Sequence, residues 1–351
     1  MSETTALERM LASIPDSYQK TIGFPTYDLT AAAALRAEET EEEIETAKSK
    51  LDPDNLSGEE LDGYIYPRTG QERIAATYAT GVVTVTGTGT VNKGDLFESE
   101  GGVQFAATET VVITGSGTVP VQATTAGTVG NVAAGSITMM PVTIAGISAV
   151  SNSDTFSGGY EAETDAAYYA RYLLRIRTPP TSGNVYHYME WALEVAGVGG
   201  VQVYPLARGD NTVDVVIINS EGKSADSGLV EQVQAHIDPE GAGLGKGEAP
   251  IGAYCQVSSA QALELAVKCR LVLLGGASAE TVKAAVQKAI EAYLGSIAFQ
   301  QDYVSVARIG DTILDVEGVQ DYEGLTVNGS TANVAVAARQ VAVLGSFEVT
   351  Q

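Results

Sequence analysis

The sequence predicts an α+β multidomain protein: N-terminal helices, a small all-β domain, then two α/β open-faced sandwich-like modules. Three observations lead there. A charged, helix-forming composition gives way near residue 78 to short Val/Thr runs separated by glycine. The helical period returns at Thr164. From that point helices alternate with short apolar strands. At 351 residues the chain also exceeds what one hydrophobic core usually serves. The expected division is residues 1–77, 78–157, 158–262 and 263–351.

In the first region, Asp28 or Thr30 is placed to cap a helix from Ala31 to about Leu51, ahead of Pro53. Ala33, Ala37, Ile44, Ala47 and Leu51 share one face of it, and Glu38, Glu39, Glu41, Glu42, Glu43 and Glu45 cover much of the rest. So narrow a seam makes no core alone and suits another helix. Ala37, Ile44, Ala47 and Leu51 are the expected interface residues of an intersubunit helix, the alternative being an ordinary amphipathic helix folded on its own domain. In the second region, Val82–Thr86, Val111–Thr114 and Val119–Ala123 read as strands. Thr86-Gly87-Thr88-Gly89-Thr90 and Thr114-Gly115-Ser116-Gly117-Thr118 look like one small repeat, read as hairpin turns of a β-sandwich or barrel.

The third region opens with a helix from Thr164, with Glu161, Glu163 and Asp165 at its start and Arg171, Arg175 and Arg177 towards its end, as the helix dipole favours. Pro179-Pro180 stops it. A helix through Val185, Tyr188, Met189 and Ala192, strands Val201–Tyr204 and Val213–Ile218, a helix through Leu229 and Ile237, and a strand near Ala253–Ser258 follow. The fourth region starts with strict alternation at Leu263, Leu265, Val267, Cys269, Leu271 and Leu273. A helix capped by Ser278 is expected to bury Val282, Val286, Ala289 and Tyr293, and another carries Val306, Ile309 and Ile313. Asn328-Gly329 is expected to turn a hairpin. Ala196-Gly197-Val198 and Glu317-Gly318-Val319 repeat the order helix, Gly-Val, strand, which suggests two related modules.

A net charge of −24 argues against a nucleic-acid partner, which needs clustered Lys and Arg. Between Arg73 and Arg171 the only basic residue is Lys93. No window approaches the roughly 20 apolar residues of a membrane span, and no secretory leader is expected behind the polar start Met1-Ser2-Glu3-Thr4. Cys255 and Cys269 belong to no ligand cluster and are expected to be reduced, small apolar residues of a cytosolic chain.

No catalytic, cofactor or metal residues are expected. The glycine-rich Thr86–Thr90 run lacks the Lys-Ser/Thr of a phosphate loop, and Gly115-Ser116-Gly117 lacks nucleophile-elbow spacing. His187 and His236 have no second ligand at metal-binding spacing. Glu161 and Glu163 are too close in sequence to flank a glycosidic bond about 5–9 Å apart, and fit helix-start groups better. Trp191 is an anchor for either a core or an interface.

The order of several short motifs resembles the baseplate J-like family of phage tails and related contractile particles. They are Ala75-Ala76-Thr77-Tyr78-Ala79-Thr80-Gly81, then Gly127…Gly130-Asn131-Val132…Gly135-Ser136-Ile137. Ile144-Ala145-Gly146-Ile147…Val150…Asn152 follows, then Gly158-Gly159…Glu161…Glu163 with Arg171, and Trp191…Gly197-Val198. The likeness runs from about Leu61 to Phe347. It implies a non-enzymatic baseplate wedge subunit without cofactors. Its partners would be other wedge subunits, neighbouring copies of itself, and tail hub and sheath proteins. It would reside in the bacterial cytoplasm during assembly and then in the tail baseplate, closing a ring around the hub and rearranging when the sheath contracts. Gly158 and Gly159 are the expected hinge, with Gly241–Gly252 a second joint. A secreted or surface β-rich adhesin is the alternative, since Thr/Gly/Val-rich repeats occur there. A carbohydrate-active enzyme is a third reading, disfavoured by the lack of convergent acids and aromatic platforms.

Overall fold

The computed structural model describes residues 5–178 and 180–350, so Met1–Thr4 and the first proline of the Pro179-Pro180 stop lie outside the described residues. The chain forms two compact units, one ending at Glu72 and one beginning at Arg73.

The first unit is helical: α1 (Ala6–Ser13), α2 (Pro25–Ser49) and α3 (Gly58–Thr69). Thr5 and Glu8 close α1 with a capping box. Helix α2 starts six residues before the expected Ala31, because Pro25 at its first position supplies a preset φ and needs no N–H partner. Asp28 is thus inside the first turn and accepts the Gly23 N–H at 3.2 Å, and Thr30 bonds back to the Thr26 carbonyl. Helix α1 packs on α2 through Ala6 and Ala34, with the Arg9 guanidinium donating twice to Glu41.

The second unit begins with a barrel-like sheet of β1 (Thr80–Val91), β2 (Leu96–Ser99), β3 (Gln104–Ala107), β4 (Val111–Ala123), β5 (Ile137–Met139) and β6 (Ile147–Ser151), in the order β5-β2-β3-β4-β1-β6. The two Thr/Gly repeats are not turns. They lie inside β1 and β4 and pair with each other, Thr86 opposite Ser116 and Gly87 opposite Gly115. Their glycines leave room for another stretch of backbone. A Cβ on Gly87 would stand 2.1 Å from the Gly146 carbonyl oxygen, and one on Gly89 2.2 Å from that of Ala145. The Thr88 N–H donates to the Gly146 carbonyl there at 2.8 Å. Buried Asn152 nearly closes the sheet. It accepts from the Ile137 N–H at 2.9 Å and donates to the Ala133 and Asp154 carbonyls. The apolar interior includes Val83, Val85, Phe97, Phe105, Ile113 and Ile137.

Two α/β layers follow. Helices α4 (Asp165–Arg177), α5 (Val185–Leu193) and α6 (Ser227–Ile237) accompany the sheet β7 (Val198–Pro205), β8 (Thr212–Asn219) and β9 (Tyr254–Ser259), ordered β7-β8-β9. Trp191 is a core anchor here, 5% exposed among Tyr188, Val215, Ile217, Leu229 and Val257. The Gly-rich loop after α6 lies within this layer and is fastened down. The buried Asp238 carboxylate accepts the Gly243 N–H at 3.1 Å and the Cys255 N–H at 3.0 Å. Three backbone-to-carboxylate bonds thus hold the segment Gly241–Gly252 expected to be the second joint.

The last layer pairs β10 (Gln261–Leu273) with β12 (Val319–Val327) and, in parallel, with β14 (Gln340–Thr350). Helix α7 (Ala279–Ile297) and helix α8 (Val306–Leu314) cover it, while β11 (Tyr303–Val304) and β13 (Val334–Ala335) form a separate ribbon. Helix α7 buries Val282, Val286, Ile290, Leu294 and Ile297, whereas Ala289 and Tyr293 sit at the margin. Asn328 and Gly329 both have positive φ, as a tight turn requires. The turn closes only the Val327–Ser330 bridge, because β12 takes β10 as its ladder partner and the returning chain pairs with β11. Gly197 and Gly318 share φ 95° where a helix hands over to a strand, so the Gly-Val repeat has one local geometry at both places.

Candidate functional site

The residues of the expected hinge lie where the barrel passes into α4, and three distant stretches converge there. The Thr77 hydroxyl donates to the Gly158 carbonyl at 2.7 Å and accepts the Tyr160 N–H at 2.9 Å. The Thr77 N–H donates to the Tyr160 carbonyl, also at 2.9 Å. Asn131 reads Gly159 from the other side: its Nδ2 donates to the Gly159 carbonyl at 2.8 Å and its Oδ1 accepts the Gly159 N–H at 3.0 Å. A Cβ on Gly159 would sit 2.4 Å from the Gly127 carbonyl oxygen. Glycine is required at 159 for close backbone approach. At 158 nothing crowds a Cβ, and the requirement is φ 84° instead.

The two glutamates that follow hold this crossing. Glu161 accepts from the Thr128 N–H at 2.8 Å and the Thr128 hydroxyl at 2.9 Å, and these bonds hold its carboxyl below the usual carboxylate range. Glu163 takes the Arg171 guanidinium in a two-pronged contact, Nε to Oε1 at 2.9 Å and Nη2 to Oε2 at 2.8 Å. Both side chains are under 10% exposed. The Glu163 carboxylate also accepts the Ile74 N–H at 3.1 Å, and Arg73 Nη2 reaches Asp165 at 2.6 Å. Helix α4 is capped by Thr164, whose hydroxyl accepts the Ala167 N–H. Glu161 and Glu163 therefore tie the crossing to Thr128, Ile74 and Arg171. Their roles were hidden in the sequence because their partners, Thr128 and Ile74, lie 33 and 89 positions away.

The expected interface residues lie elsewhere, on the first unit. Ala37 is half-buried, while Ile44 (48% exposed), Ala47 and Leu51 (80%) face solvent, with Leu51 just beyond the end of α2. Leu29, 73% exposed, lies on the same side of the helix. Helix α1 bonds to the neighbouring flank at Glu38 and Glu41.

Other groups have structural partners. His187 stacks on Trp191 at 4.1 Å, and His236 Nε2 bonds Glu194 at 3.0 Å. Cys255 and Cys269 are buried and unbridged, and burial pushes their thiols up to about 12 and about 11. A cleft of about 560 Å³ is lined by Gln202, Gln300, Gln301, Asp302 and Tyr303 among others, with one carboxylate and no histidine. Among the described residues no group of three or more His, Cys, Asp or Glu is placed to hold a metal ion, and no helix is long and apolar enough to cross a membrane.

Three family models match in succession: the baseplate J-like protein barrel domain over residues 82–159, the baseplate J-like central domain over 180–259, and the baseplate J-like protein C-terminal domain over 265–350. The chain is 30% identical to the uncharacterized protein YqbT of Bacillus subtilis over 98% of its own length and 96% of that protein's. It is 28% identical, with the same coverage, to the phage-like element PBSX protein XkdT of the same organism. It is also 28% identical to the baseplate protein gp47 of Escherichia phage Mu, covering 92% of this chain and 89% of that one.

Proposed function

The chain belongs to the baseplate J-like family, and on that premise we propose that it is a structural wedge subunit in the baseplate of a contractile phage tail or phage tail-like particle. The observation that carries this reading is the near-full-length similarity to a phage Mu protein named as a baseplate component. Its task is assembly and shape change, without a reaction of its own. Its partners are other wedge subunits and neighbouring copies of itself, which together close a ring around the tail hub, with the sheath beyond. It is assembled in the bacterial cytoplasm and then resides in the tail.

The division of labour follows from the side chains. The seam of half-buried Ala37 and exposed Ile44, Ala47 and Leu51 docks a partner helix, since among the described residues of the first unit these apolar side chains on an acidic helix stay largely open to solvent. The Gly158-Gly159 crossing works as a two-position joint. Turning it breaks the Thr77 and Asn131 bonds together, so it holds one setting until the trigger arrives. Replacing both glycines by proline therefore strikes the fold as well as the motion, because a proline at position 159 has no N–H for Asn131.

Mass photometry of the purified chain, alone and mixed with the tail proteins encoded beside it, tests the reading. A monomer that forms heteromers of defined mass with those proteins supports it. A monomer indifferent to all of them and retained on a glycan column would replace it with the adhesin.

A further inference from the structure

We infer that the central and C-terminal α/β layers form one rigid body, joined through adjoining sheets and an arginine staple, so that any rearrangement within the second unit takes place upstream of α4. This goes beyond the wedge reading and concerns the isolated chain.

Four fastenings at separate places support it. The first is the backbone. Strands β9 and β10 are separated by Ala260 alone, and the two amides at that point donate to different layers, Ala260 N–H to the Ile217 carbonyl and Gln261 N–H to the Arg339 carbonyl, both at 2.9 Å. Consecutive amides of an extended strand point to opposite edges. The chain thus takes β8 on one edge and the start of β14 on the other, with no linker between the sheets.

The second fastening is a shared core. Val216 and Ile218 of β8, Ala260, and Val341 of β14 are all 3% exposed or less, with Phe299 and Val343 packed around them. The third is direct backbone contact. A Cβ on Gly222 would meet the Gly295 Cα at 2.5 Å, and one on Gly295 would meet the Glu221 carbonyl oxygen at 2.6 Å. Lys223 lies beside this contact, 3.6 Å from Glu291 of α7.

The fourth is ionic. Asp214 of β8 accepts Arg208 Nε at 2.6 Å from its own layer and Arg339 Nη1 at 2.9 Å from the other. The Arg339 guanidinium also lies over the Tyr204 ring, 4.4 Å from its centroid. Burial works to raise the Asp214 carboxyl, and the two arginines outweigh it, holding it below the usual carboxylate range. A rotation that spared any one of these contacts would break the others.

Nitroxide labels at Glu231→Cys on α6 and Lys288→Cys on α7, both exposed positions, allow pulsed electron–electron resonance on the full chain. Cys255 and Cys269 are each 1% exposed and stay unlabelled. One narrow distance peak is expected. A broad or two-peaked distribution overturns the inference. In a second sample Arg339→Ala is combined with Gly222→Val, and the narrow peak is expected to be lost while the helical circular dichroism is kept. If the peak persists there, the staple and the glycine contact are not what join the layers. Should that variant fail to fold, the first measurement still decides. Neither result depends on assembly with tail proteins, so this inference and the wedge reading fail separately.

Discussion

Helix α2 and the crossing at Gly158-Gly159 are built from the same residue types, glutamate and arginine beside small residues, and use them in opposite ways. On α2 the charges are exposed and many pair locally: Arg36 with Glu39, Lys48 with Glu45. Such pairs contribute at most about 1 kcal/mol each, so the acidic face adds little to the stability of the first unit. At the crossing, Glu163 and Arg171 are buried and joined through both prongs. Removing one partner of such a pair leaves an uncompensated charge in a poor solvent. The difference teaches that charge carries structure in this chain where it is desolvated and tied to distant backbone, and contributes little to the fold where it is hydrated.

The contrast can be broken most forcefully at Arg171. Arg171→Ala should cost about 3–5 kcal/mol, read as a lowered urea midpoint, while Arg36→Ala should shift it by no more than about 0.5 kcal/mol; equal effects would erase the distinction. Next, Gly159→Ala should cost about 1–3 kcal/mol through crowding against the Gly127 carbonyl. Gly158→Ala should cost about 1–2 kcal/mol, through its positive φ alone. Adding Asn131→Ala separates the two: it should change the cost of the Gly159 substitution and leave that of Gly158 untouched.

Ile44→Asp sharpens the comparison from the other side. Stability should stay within about 0.5 kcal/mol of the parent, while heteromer formation in mass photometry should disappear. The smallest effect belongs to a half-exposed pair, His236 with Glu194. The hydrogen bond that His236 donates to the Glu194 carboxylate raises the His236 pKa above 6.5 against the pull of burial. A raised histidine pKa stabilises fully below the unfolded value near 6.5 and loses that contribution as pH rises through the folded value. The gain should be under about 1 kcal/mol and absent in His236→Gln. The Asp214 carboxyl has the opposite sign. Its lowered pKa gives stability present above the ordinary carboxylate range and lost as pH falls through the folded value.

Much of the fold was legible because it is written in short-range periodicity. The alternation from Leu263 to Leu273 is β10, the Val306, Ile309 and Ile313 spacing is the buried face of α8, and Asn328-Gly329 is a turn. These signals need only the pleat of a strand, the pitch of a helix and the φ preferences of two residues. The same logic failed at Thr86–Thr90. There glycine marks the place where residues 145–146 cross a strand, and a residue nearly sixty positions away cannot be read from a local pattern. On α7, Tyr293 packs against the edge of the core as expected, while Ala289 is left at the margin, since several faces of an alanine-rich helix fit one period and the sheet selects among them.

The sequence by itself determined the class and order of the strongly periodic segments, among them α5, α6, α8 and β10, because spacing acts over a few residues. Only the tertiary structure decided that Asn131 reads Gly159, that Glu163 ties Ile74 to Arg171, that Asn152 nearly closes the barrel-like sheet and that Arg339 bonds Asp214. Each of those bonds joins groups that chain connectivity leaves far apart. Their value comes from burial, which exists only once the whole chain has packed.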